Sequence, residues 1–167
     1  MMRLADVFYA IPYLLVIILL MVVMGSGLIP ILIAMTIMGW INMARIVRGQ
    51  TLHIKEQLYI EAAQSFGLKK RTLMFRHILP NLFGIIIVYI TLTIPQLILA
   101  ESFLSFLGLG VQEPFTSWGA LVKTGADEME YSAWTLAFPA LFLSLSLFCF
   151  NFIGDGLRDA LDPKDKR

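Results

Sequence analysis

The chain has 167 residues, of which 58% are hydrophobic and 15% charged, with 13 Lys and Arg against 12 Asp and Glu for a formal net charge of +1. Soluble domains average about 25% charge, so this composition and a mean hydropathy of +0.78 argue for one membrane domain and against a water-soluble one. The balanced charge lacks the basic excess of a nucleic-acid binder, and a lone cysteine, Cys149, excludes an intramolecular disulfide.

Val7 to Ala44 carries no charge. As one helix it would be nearly twice the ~30 Å hydrocarbon thickness, so it must fold back. Gly25-Ser26-Gly27, with Pro30 just beyond, is the place to turn, which predicts spans at 7–24 and 28–47. Residues 1–24 also have the outline of a secretory signal, with Arg3 as a short basic region. Their apolar part is longer than such a signal needs, and a second span follows almost at once. Two further spans are expected at 78–104 and 132–154, for four in all, with Pro95 and Pro139 as expected sites of kinking or opened backbone.

Positive residues are retained on the cytoplasmic side of a membrane. Arg3, the 45–77 segment and the tail hold every Lys and Arg except Lys123. Both termini and the middle loop are therefore expected inside, and the segment 108–131, which holds Lys123, Glu113, Asp127, Glu128 and Glu130, outside.

The middle loop, 48–77, is longer than a turn needs and too short for a domain. Ile54 to Phe66 suits a helix, with Ile54, Leu58 and Ala62 at i, i+4 and i+8, and Gly67 suits its stop. A second, basic helix, Lys69 to Arg76, leads through Leu79-Pro80 into the third span, and its cations can reach anionic headgroups of membrane lipid. Ala62 and Ala63 leave the first helix shallow enough for a partner's backbone, and Tyr59 and Phe66 offer larger anchors. A rigid helix fixed to spans at both ends and gripped by a partner would act as a lever. Arginine at Ala63 is expected to uncouple it.

Proton- or ion-coupled carriers need a titratable group at membrane depth, and the apolar runs contain none. Asp6 lies at the entrance of the first span and Glu101 at the outer end of the third. The spans' polar content is uncharged: Thr36, Asn42, Thr91, Thr93, Gln96, Ser144, Ser146 and Asn151, which can hydrogen-bond neighbouring helices or line a wet path. Thr91, Gln96 and Asn151 are the candidates for the path. His53 and His77 have no carboxylate or cysteine at ligand spacing, so no metal site is expected. Gly67 to Thr72 lacks the spacing of a phosphate loop. The run Asp155, Asp159, Asp162 and Asp165 does not match a calcium loop. No catalytic grouping and no cofactor site is expected. From the residues alone, three readings stand: an energy-driven transporter subunit, a membrane scaffold that docks a cytoplasmic partner, and a proton-coupled carrier built on Glu101.

Glu61-Ala62-Ala63, three residues, Gly67, nine residues, then His77 followed by Ile78-Leu79-Pro80 resembles the EAA motif of permease subunits in binding-protein-dependent ABC importers. The general pattern favours isoleucine where His77 stands; a histidine before Ile-Leu-Pro-Asn is characteristic of the dipeptide/oligopeptide branch, whose relatives include nickel importers. Arg3 to Phe8 with Ile11-Pro12, Ala44 to Gln50, Ala100 to Gly110, Ser117-Trp118-Gly119 and Asn151 to Pro163 resemble the same branch. The resemblance implies an all-α polytopic permease with the MetI-like helical core of type I ABC importers in a prokaryotic inner membrane. It implies a heterodimer with a second permease subunit, two ATP-binding subunits that perform the hydrolysis, and an extracytoplasmic substrate-binding protein. Tyr59, Glu61, Ala62, Ala63, Ser65, Phe66 and Gly67 would then couple to the ATPase. Such permeases usually have six spans, so two amino-terminal ones are expected to be missing.

Overall fold

The computed structural model describes Arg3, Asp6 and residues 9–161. The expected start of the first span at Val7 lies outside the described residues, as do Leu4, Ala5 and Phe8 of the amino-terminal motif. So do Asp162, Pro163, Lys164, Asp165, Lys166 and Arg167 of the tail. All regular structure among the described residues is helical. In chain order the helices are α1 (Tyr13–Met24), α2 (Leu28–Lys55), α3 (Leu58–Ser65), α4 (Lys70–Leu73), α5 (Leu79–Phe106), α6 (Trp118–Asp127) and α7 (Ala133–Leu161), with a π-helical turn at Met74–Ile78 that joins α4 to α5.

Three of these are long and apolar enough to cross a membrane: α2, the continuous run Lys70–Phe106, and α7. Within the expected first span, the helix that follows Pro12 is short. Pro12 is extended, with φ −56° and ψ 123°, and α1 starts only after it. Its 12 residues reach about 18 Å, short of the hydrocarbon thickness. The physical reason is local, since proline disfavours the helical region for the residue before it.

The helices that contain the other expected spans run on beyond them. α2 runs to Lys55 and not to 47, and α7 to Leu161 and not to 154. Charges mark where the apolar layer stops, and nothing in Val47 to Lys55 stops a helix; Gly49 costs only about 1 kcal/mol there. Helices α5 and α7 continue through Pro95 and Pro139, which lie inside them. Each proline removes one backbone bond, and the rest of a long helix holds. The π turn precedes Pro80, where the missing N–H and the ring disturb the regular ladder.

One core cluster joins α1, α2 and the end of α5 through Ile17, Met21, Ile31, Ala34, Met35, Met38, Ile41 and Leu104. Helices α5, α6 and α7 pack on one another at the acidic end of the bundle. Without a strong hydrophobic drive between helices in lipid, close backbone approach matters more. A Cβ at Gly119 would collide with the backbone of Ser102, and one at Gly125 with that of Thr135 and Leu136. The glycines thus let α6 lie directly on α5 and α7. At the basic end Asp6 and Arg45 form an ion pair of 2.7 Å, and the Arg45 guanidinium sits 3.9 Å from the centre of the Tyr9 ring.

Most of the uncharged polar side chains of the spans turn back on their own helix. Thr36, Thr91, Thr93, Ser144 and Ser146 donate to the carbonyl four residues earlier, at 2.7 to 2.9 Å. The Asn151 amide donates to the Leu147 carbonyl at 2.9 Å. In an apolar medium this is the nearest way to satisfy such a group.

Candidate functional site

The strongest candidate is α3 and its two attachments. An isolated helix of eight residues is unstable in water, because nucleation costs more than so few bonds return. Packing holds it. Ile60 is 0% exposed and joins Ile54 of α2, Leu73 of α4 and Leu82 of α5 in a second core cluster, edged by Val47, Ala63, Leu68, Ile78 and Ile86.

The expected helix from Ile54 to Phe66 is broken at Glu56-Gln57. Ile54 closes α2 and faces inward, while Leu58 and Ala62 of α3 face out, so the i, i+4, i+8 series does not share one face. The sequence carries no glycine or proline at that break. Inside α3 the inward pair is Ile60 and Ala63, three apart. The outward stripe is Leu58, Ala62 and Phe66, four apart, with Leu58 81% and Phe66 85% exposed. Two large apolar side chains flank one small one. Tyr59, Glu61 and Ser65 are exposed beside this stripe, and the Ser65 hydroxyl donates to the Glu61 carbonyl at 3.1 Å. Ala63 belongs to the inner face, which separates it from Ala62. These exposed apolar groups on a short ordered helix make this face a candidate interaction surface.

Gly67 ends α3 at φ +78°. Its N–H donates to the Gln64 carbonyl at 2.9 Å, and that of Leu68 to the Ala63 carbonyl at 3.2 Å, which completes a Schellman cap. A Cβ here would meet nothing within 4 Å, so Gly67→Ala carries only the backbone strain of the left-handed region, about 1–2 kcal/mol. We expect faster hydrogen exchange at Gly67 and Leu68 in that variant and a smaller effect for Gly67→Asn; equal exchange in Gly67→Ala and the parent would refute the cap.

Sequence reasoning missed three residues. Ile60 is the anchor of α3, legible only as the inward partner of Ala63. Leu58 enters the sequence reading only as a member of the i, i+4, i+8 series, and it is exposed. Asn81 was noted only within the Ile-Leu-Pro-Asn run. Its side-chain amide donates to the Tyr59 hydroxyl at 3.2 Å and to the His77 carbonyl at 2.6 Å, and the Tyr59 and His77 rings lie 6.4 Å apart. Asn81 thus ties α3 to the root of α5 across the π turn.

Two clefts open along the spans. The larger, about 840 Å³, is walled by α2, α5, α6 and α7 and includes Thr36, Thr93 and Glu101. The smaller, about 550 Å³, includes Tyr13, Asn42, Tyr89, Thr93 and Gln96. Of the expected path residues Gln96 lines a cleft; Thr91 and Asn151 line neither of the two and bond to their own helices. Among the described residues no three metal-ligating side chains meet.

The family described as binding-protein-dependent transport system inner membrane component matches residues 1–167. The oligopeptide transport system permease protein OppC of Salmonella typhimurium is 54% identical over 166 residues, 99% of this chain and 55% of its own length. That of Bacillus subtilis is 56% identical over 164 residues, 98% of this chain and 54% of the relative. The dipeptide transport system permease protein DppC of Bacillus subtilis is 54% identical over 168 residues, 100% of this chain and 52% of the relative. The chain spans about half the length of these relatives.

Proposed function

Because this chain belongs to the family of binding-protein-dependent transport system inner membrane components, we propose that it is permease sequence of an ATP-driven importer of di- and oligopeptides. It is a multi-pass membrane transport component and not an enzyme. In this reading the hydrolysis takes place on two ATP-binding subunits, a second permease subunit completes the path, and an extracytoplasmic binding protein delivers the peptide. The basic ends of the spans, with α3, face the cytoplasm.

The observation that carries the reading is the two-faced character of α3. Its inner face is bolted to α2 and α5 through Ile60, and its outer face presents Leu58, Ala62 and Phe66. A partner that grips the outer face moves both spans as a unit, which is how a rigid-body switch transmits force. The peptide assignment rests on the oligopeptide and dipeptide permease relatives.

The test uses the full permease complex with Cys149→Ser and a cysteine in place of Ala62. A benzophenone attached to that cysteine through a maleimide inserts into neighbouring C–H bonds on irradiation, and in membranes it is expected to join position 62 to an ATP-binding subunit, more strongly with ATP. Adducts with lipid or with the permease's own chain alone would overturn the proposal.

A further inference from the structure

Glu101 stands at the opposite end of α5 from α3, on the wall of the larger cleft. The Ser105 hydroxyl donates to its Oε1 at 2.5 Å, and the Val111 amide donates to Ser105 Oγ at 3.2 Å. Ser105 is only 3% exposed, so one oxygen of the carboxylate is held by a buried group that the backbone itself fixes. The rest of the cleft lining is uncharged and mostly apolar, from Leu28, Ile31 and Met35 to Phe150. Among the described residues the Asp6 to Arg45 pair is the sole salt bridge, so Glu101 has no cationic partner there. Lys123, the basic residue at this end, reaches over Gly108.

A cation brought to a carboxylate beside apolar walls is attracted more strongly than in water. The Ser105 hydroxyl takes one lone pair of Oε1, and the lone pairs that remain on the carboxylate can accept from an ammonium, a compact cation with three donors. We propose that Glu101 binds the ammonium group of an amine-bearing solute in this cleft. Resting on the importer reading above, that solute is a peptide held by its amino end, with its side chains against the apolar walls. Ser105 and Val111 position the carboxylate and do not touch the solute.

The test uses the complete transporter in vesicles with labelled trialanine. A water-soluble carbodiimide, added during ATP turnover, is expected to link the peptide's amine to Glu101. Mass spectrometry should find that adduct about tenfold above those at Glu113, Asp127, Glu128 and Glu130, and lose it in Glu101→Gln. Glu101→Gln should raise the KM for trialanine about tenfold, as loss of a hydrogen bond to a charged group does, whereas Glu101→Asp restores most of it. Equal labelling of all five carboxylates, a Glu101 link to a lysine of the second permease in place of the peptide, or an equal loss in Gln and Asp would overturn the inference. ATP-driven uptake that Ala62→Arg blocks, without a Glu101 adduct, would overturn this inference alone. An adduct formed independently of ATP would support it and overturn the importer reading.

Discussion

Arginine in place of Ala62 is expected to cut ATP-driven peptide uptake by the full complex at least about tenfold, equivalent to ~1.4 kcal/mol of lost docking energy, while the spans insert and the helices persist. Ala62 is exposed and lies between Leu58 and Phe66, outside the inner cluster, so the fold has no stake in its side chain. A guanidinium there must be desolvated in the interface without a matching acceptor, which is unfavourable. Peptide moved per ATP hydrolysed is the measurement, with Ala62→Ser as the mild control. Normal uptake by Ala62→Arg would refute docking through this face. The expectation from sequence placed the same test at Ala63. The structure moves it, because Ala63 packs against the cluster of Ile54, Ile60, Leu73 and Leu82. Arginine there would lift α3 off its seat, and a loss of uptake would not separate failed docking from local unfolding.

Ile60→Ala is expected to loosen α3 itself. Truncating a fully buried isoleucine costs about 2–5 kcal/mol, and an eight-residue helix is unstable without packing. If the loss falls on local opening, amide exchange across Leu58 to Ser65 should accelerate about 30-fold or more, since ~2 kcal/mol is that ratio. Exchange within α7, which does not contribute to the cluster, should stay as it was. Uptake should fall with the lever unseated. Leu58→Ala is the counterpart: 81% exposed, it should leave exchange unaltered and weaken only the contact with a partner. Unaltered exchange across α3 in Ile60→Ala would refute the anchoring role.

The stop at Gly67 was legible because it requires a left-handed backbone conformation that glycine adopts freely. So was the turn at Gly25 to Gly27, where Gly25 and Gly27 have φ +86° and +149°. The break at Glu56-Gln57 was not, because neither residue is a helix breaker; it arises where α3 swings round to seat Ile60. The surroundings of the candidate path residues, Thr91, Gln96 and Asn151, were the least legible. Threonine, serine and asparagine in a span signal hydrogen bonds but not their partners, and the partner of Thr91 and of Asn151 is the preceding turn. Gln96 alone of that set lines a cleft.

The amino-acid sequence by itself determined the membrane character, the segregation of basic from acidic ends, the placement of a short helical segment between two expected spans and the family pattern around Glu61 to Pro80. Those properties depend on composition and on spacing along a few turns of chain. Only the tertiary structure decided which side of α3 is packed inward and which is exposed, that Ala62 and Ala63 belong to opposite sides, and that Glu101 lines a cleft with no salt-bridge partner among the described residues. Each is settled by groups far apart in sequence: Ile60 against Leu82, Tyr59 on Asn81, Gly119 under Ser102, Gly125 against Thr135. Periodicity reports that a helix has two faces; which neighbour claims each face is a matter of three-dimensional packing.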